Sequence, residues 1–142
     1  MTPEQKSLVQ QSWNHVAPIA ATAAALFYDR LFTLDPSLRA LFRATDMKEQ
    51  GKKLMQTLAV VVKGLDNLDQ LVPAVQALGR RHGGYGVREE HYDTVGQALI
   101  WTLEKGLRHR FTDAVREAWT TAYTTLATVM KAAQAEAELA AA

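Results

Sequence analysis

The chain contains no cysteine. Disulfides, thiolate ligation and iron–sulfur clusters are thereby excluded, and any metal chemistry must come from His, Tyr, Met or carboxylates. An excess of one charge is missing too: 16 basic against 15 acidic side chains leave a formal charge of +1. That balance gives no electrostatic footprint for nucleic acid or an anionic membrane, so neither is expected as a partner. Long apolar runs are lacking. None approaches the roughly 20 residues a spanning helix needs, and no secretory leader pattern opens the chain, so a cytoplasmic location is expected. What is present is 142 residues, 48% of them apolar, enough for one domain with a sizeable core.

Apolar residues recur with helical spacing along nearly the whole chain. Thr2-Pro3-Glu4-Gln5 opens a first helix, with Thr2 as N-cap, Pro3 at the first helical position and Gln5 closing a capping box. Leu8, Val9, Trp13 and Val16 form its stripe, and Pro18 breaks it. A second helix is predicted from about Pro18 to Leu34, burying Phe27, Leu31 and Phe32. Tyr28 interrupts that run, either as a surface tyrosine with a buried ring or with its hydroxyl aimed into a cavity. Asp35-Pro36 caps a short corner helix carrying Leu38, Leu41 and Phe42. Asp46, with Glu49 three residues on, caps a helix over about 47–63 that lines up Gln50, Leu54, Leu58 and Val61. Gln50 opens this apolar stripe, so it either faces solvent or donates inside a pocket.

Residues 64–68 read as a loop and 69–82 as a helix. A further helix from about Glu89 to Leu107 places Tyr92, Val95, Leu99 and Leu103 on one face. Thr112 caps a last helix from about Asp113 to Leu139. The Ala-rich tail over 136–142 has little left to bury and is predicted to fray. The expected class is all-α: six major helices plus the short corner helix, with no β content.

The pattern converges on Leu71–Tyr92, LVPAVQALGRRHGGYGVREEHY. Leu71, Val75, Leu78 and His82 share one helix face, and Gly83-Gly84 is expected to end the helix by its tolerance of left-handed backbone. His82 then lies on the last turn, on the apolar side. A neutral imidazole there can offer Nε2 to a metal while Nδ1–H donates to the carbonyl one turn back. A buried histidine satisfied by hydrogen bonds fits the same position. His15, His91 and His109 read as solvated.

Tyr28, Pro36, Phe42, Gln50, Leu54, His82, Tyr92 and Val95 stand in the order and spacing of a globin. The blocks LFYDRLF, DPSLRALF, LGRRH, HYDTVGQAL and AWTTAYTTLA extend the likeness to about Lys131. The chain resembles the single-domain bacterial haemoglobins and the globin domain of flavohaemoglobins. The resemblance implies a globin domain over 1–135, with haem b between the 47–63 and 69–82 helices. It makes His82 the proximal iron ligand, stacks Phe42 on the haem, and sets Tyr28, Gln50 and Leu54 on the distal side. Leu78, Val87, Tyr92 and Val95 would pack near the porphyrin, with Lys53 and Arg81 as propionate partners.

The implied ligands are O₂, CO and NO, and the implied function is O₂ binding, storage or delivery. Nitric oxide dioxygenation by the oxy form, using an external flavin reductase, is a further implied activity. A haem-based gas sensor acting through a partner protein is the alternative, and a monomer or weak homodimer is expected. The chemistry agrees: O₂ on ferrous iron gains electron density, and the Tyr28 phenol and Gln50 amide can both donate to it, each bond contributing about 1–3 kcal/mol. Two departures from the flavohaemoglobin pattern stand out. No flavin or dinucleotide fingerprint follows the globin blocks. The family's glutamate on the last helix, hydrogen-bonded with the proximal histidine and Tyr92, is matched by Gln134 on counting from Tyr123. An amide there would make His82 less electron-donating than a carboxylate would.

Overall fold

Side-chain caps set where the helices begin. Thr2 Oγ1 accepts from the Gln5 amide at 3.1 Å, and Gln5 Oε1 accepts from the Thr2 amide at 3.0 Å. This reciprocal pair opens α1, Pro3–Val16. Helix α2, Ala20–Leu34, follows a 3₁₀ turn over Ala17–Ile19, so Pro18 shifts the start of α2 two residues later than the sequence suggests. The corner segment Pro36–Phe42 is 3₁₀ rather than α, capped by Asp35, which accepts from the Ser37 amide at 3.1 Å.

Helix α3, Met47–Gly64, is capped by Asp46, which accepts from Lys48 N at 3.0 Å. Glu49 turns away from that cap to pair with Lys52 at 3.2 Å. Residues 64–68 are not a loop: α3 runs into a 3₁₀ turn, Leu65–Asn67, because Leu65 is a core anchor only 1% exposed. Helices α4, Leu68–Gly84, α5, Glu89–Leu107, and α6, Asp113–Ala141, complete the order, with a 3₁₀ turn Arg108–Arg110 before α6. The computed structural model describes residues 1–141; among them there is no strand, and no helix is long and apolar enough to cross a membrane.

Three further details depart from the sequence reading. Gly83 and Gly84 lie inside α4, and the residue with left-handed backbone is Gly86, φ 85°. The Tyr85 and Val87 amides close the last turn by donating to the His82 carbonyl at 3.0 and 3.2 Å. His91 is buried, not solvated: its Nδ1 accepts from the Arg88 amide at 2.9 Å and so caps α5. Helix α6 runs to Ala141, two residues past the expected end, and buries Ala133 and Gln134 ahead of the tail over 136–142; Ala142 lies outside the described residues.

The main core joins α1, α2, α3, α5 and the first half of α6. Trp13 and Trp119 meet there with ring centroids 6.3 Å apart. The Trp119 Nε1–H donates to Ser12 Oγ at 2.8 Å, and Ser12 donates on to the Leu8 carbonyl at 2.7 Å, so the buried polar atoms are satisfied. Helix α4 stands outside this cluster. Its buried Leu71 and Val75 are not members, and it lies instead along the second half of α6. The approach is close because position 79 has no side chain: a Cβ on Gly79 would sit 2.4 Å from the Met130 carbonyl oxygen. Most of α4 thus packs on α6, while its first residue, Leu68, meets the main core and Leu71 reaches the end of α3 at Gly64.

Candidate functional site

Two groups of side chains make up the candidate site, one on α2 and α3 and one on α4. The first is built on α2 and α3. A Cβ on Gly51 would lie 3.0 Å from Ala24 Cβ, so the two helices pass closely there. Tyr28 is one turn beyond Ala24 and Gln50 adjoins Gly51, which brings their polar ends together. Gln50 Nε2 donates to the Tyr28 hydroxyl oxygen at 3.2 Å. The Tyr28 ring is 8% exposed, edge-on to Phe27 at 5.0 Å and to Phe42 at 5.6 Å. Tyr28 is buried rather than a surface tyrosine, and its hydroxyl meets Gln50. Burial raises its pKa, opposed by the bond from Gln50, so the phenol keeps its proton at neutral pH. Its oxygen accepts, and its own hydrogen meets no acceptor among the described residues. Leu54, one turn beyond Gln50, is half-buried.

The second group is on α4. His82 Nδ1 lies 2.7 Å from the Leu78 carbonyl oxygen. A carbonyl only accepts, so Nδ1 carries the hydrogen and Nε2 keeps an unshared pair. Burial lowers the His82 pKa, partly offset by the bond to Leu78, and the Arg81 charge lowers it further. A neutral ring with a fixed tautomer and a free Nε2 is the state a metal needs.

Behind His82 the α4–α5 corner is tied to α6. The buried Tyr92 hydroxyl donates to Gln134 Oε1 at 2.7 Å, and Gln134 Nε2 donates to the Val87 carbonyl at 2.6 Å and to Glu138 at 3.1 Å. Tyr123 donates to the Tyr92 carbonyl at 2.6 Å, and burial pushes its pKa well up. Gln134 thus meets Tyr92 but makes no hydrogen bond with His82, whose partner is the Leu78 carbonyl. The tie to Glu138 is an ordinary i,i+4 pair within α6; the tie to Val87 carries no sequence signal, because helical spacing says nothing about what a side chain reaches on another element.

The remaining candidates divide by exposure. Phe42, Leu78, Val87 and Val95 are half-buried, and Phe42 also packs edge-on to Phe32 at 5.6 Å. Lys53 and Arg81 are exposed and form no ion pair among the described residues. The donor set itself tests what the site can hold. Among the described residues no three His, Cys, Asp or Glu side chains gather round a common point. A lone imidazole with half-buried apolar neighbours cannot retain a bare ion. It fits an iron whose other ligands arrive with their own apolar macrocycle.

Comparison with known proteins shows the family. A sequence model of the Globin family matches residues 25–130, a span that includes Tyr28, Gln50, His82 and Tyr92. A flavohemoprotein of Vibrio cholerae is 38% identical over 131 residues, which is 91% of this chain but 33% of that protein. The chain therefore spans about a third of that relative's length. Neuroglobins of Danio rerio and Tetraodon nigroviridis are each 27% identical, with 92% of this chain aligned to 90% of theirs. With its family match running from α2 into α6, and with its all-helical fold, the chain belongs to the globin family.

Proposed function

We propose that this globin holds haem b through His82 and binds O₂ reversibly beneath Tyr28 and Gln50. The observation that carries the reading is the Gln50–Tyr28 hydrogen bond at 3.2 Å. It fixes the phenol so that its own proton is free to be donated. When bound, ferrous haem supplies an open coordination position and passes electron density to a diatomic ligand, making that ligand a hydrogen-bond acceptor. Tyr28 donates to it, and the second Gln50 amide hydrogen is available beside it. In a dry pocket each such bond contributes about 1–3 kcal/mol, and none needs a group to reorganise. Phe42 and Leu54 keep water away. His82 presents Nε2, with its ring plane set by the Leu78 carbonyl. Leu78, Val87, Tyr92 and Val95 would supply apolar contact to the macrocycle, and the exposed Lys53 and Arg81 would pair with its propionates.

The same arrangement supports nitric oxide removal, in which nitric oxide and O₂ become nitrate with one electron from an external flavin reductase. O₂ storage or delivery needs no such donor. The absorption spectrum of purified protein supplied with haem, with and without reductant and CO, tests the reading. An intense Soret band that shifts on reduction and again with CO is expected. A chain that takes up no haem would refute the proposal.

A further inference from the structure

Gln134 is 5% exposed, and every hydrogen-bonding group of its amide is engaged. Oε1 accepts from the Tyr92 hydroxyl at 2.7 Å; Nε2 donates to the Val87 carbonyl at 2.6 Å and to Glu138 Oε1 at 3.1 Å. Val87 is held on both sides, because its own N–H donates to the His82 carbonyl at 3.2 Å. A continuous line of bonds therefore runs from Tyr92 through Gln134 and Val87 to the backbone of His82. Gly86, φ 85°, allows the bend that turns Val87 back toward α4. Gln134 also packs on the last turn of α4 directly: a Cβ on Gly83 would lie 3.1 Å from Gln134 Cγ.

We propose that Gln134 is a positioning residue for His82, fastening the corner 83–87 to α6 and so setting the orientation of the turn that carries the imidazole. The role rests on the reading that His82 ligates haem iron. The amide suits it: without carrying charge it both donates to the Val87 carbonyl and accepts from the Tyr92 hydroxyl. An ionised carboxyl could still accept from Tyr92, but it has no hydrogen for Val87 and would face the Glu138 carboxylate. Since Gln134 makes no bond to the ring, and Nδ1 is committed to Leu78, the control is over geometry and not over electron donation by the imidazole.

The test uses the haem-loaded full chain at pH 8 with three variants: Gln134→Glu, Gln134→Met and Glu138→Ala. Three quantities are read: haem transfer to a high-affinity acceptor protein, the iron–histidine stretching band of the ferrous form, and the melting temperature. Gln134→Glu and Gln134→Met both lose the Val87 tether. Each should release haem about threefold to tenfold faster, the scale of one lost hydrogen bond, and should shift or broaden the iron–histidine band. Glu138→Ala leaves the bonds from Gln134 to Val87 and Tyr92 intact, so it should change haem release by less than about half that factor and leave the band in place. If Gln134→Glu fails to fold, Gln134→Met carries the same test without a buried charge. A lower melting temperature with an unchanged band in the Gln134 variants would mean a merely structural residue and would overturn the role. Failure of the wild-type chain to take up haem would overturn the His82 reading, and this role with it. Uptake with wild-type release and band in both Gln134 variants overturns the positioning role alone.

Discussion

Replacing Gly79 with alanine tests the seating of α4 on α6. A Cβ at this position meets three backbone atoms of Met130: the carbonyl oxygen at 2.4 Å, Cα at 2.7 Å and the carbonyl carbon at 2.9 Å. Ordinary contact lies near 3.5 Å, so the methyl is roughly 1 Å too close. None of the three atoms can rotate away, because all belong to the α6 backbone. Relief requires one helix to move off the other. Two effects then compete. Alanine in a helix interior gains about 1 kcal/mol over glycine. Overpacking a tight contact costs about 1–3 kcal/mol, and more where backbone must shift.

The clash should win, with a net loss of about 1–2 kcal/mol or more, and at this chain length a fall in Tm of roughly 5 °C. His82 is one turn beyond Gly79, so the same displacement should also speed haem loss. Urea unfolding of the haem-free chain followed by circular dichroism measures the first effect, and haem transfer the second. Gly84→Ala is the control: no atom lies within 4 Å of a Cβ there, so stability should stay within about 0.5 kcal/mol of wild type. Gly79→Ala as stable as the parent would show that α4 and α6 are not seated as described.

Tyr28→Phe removes the donor hydroxyl and leaves Gln50 Nε2 without its partner; O₂ dissociation should rise about tenfold or more, since about 1.4 kcal/mol is one decade, while CO, a poorer acceptor, should change much less in flash photolysis. Equal factors for the two gases would assign the pocket to sterics. His82→Ala should abolish stable haem uptake, whereas His15→Ala and His109→Ala should leave the absorption spectrum unaltered. His91→Ala should also keep its spectrum but melt earlier, because it loses the cap on α5 at Arg88. The pH dependence follows from burial of His82, whose pKa is lowered from its ordinary value of 6.5. The unfolded chain then binds the proton first, so as pH falls below about 6.5 His82 should subtract stability from the haem-free fold, and above it should contribute nothing. His82→Gln should flatten that part of a stability–pH profile, and an unchanged slope would count against the burial argument.

Local physics made much of this protein legible in its sequence. The caps at Thr2, Asp46 and Thr112 bond to amides two or three residues away, so neighbouring residues suffice to find them. The repeat of Leu78 and His82 one turn apart likewise fixes the bond from Nδ1 to the Leu78 carbonyl, since a helix places that carbonyl within reach whatever packs around it. The choice between a buried and an exposed hydroxyl for Tyr28 was open until α2 and α3 were set against each other at Ala24 and Gly51.

Tertiary contacts decided the rest. Gly83-Gly84 looks like a left-handed helix stop; α4 does end at Gly84, but the left-handed turn falls at Gly86, where the corner is drawn back toward α6. His91 looks solvated by composition and is buried because its ring completes the backbone at Arg88. Gln134, just ahead of the Ala-rich tail, is buried because Tyr92, 42 residues away, and Val87, 47 residues away, meet its amide. Helical periodicity tells which face of a segment is apolar. It does not tell which partner that face meets, and at Gly79, Gly86 and Gln134 the partner determined the outcome.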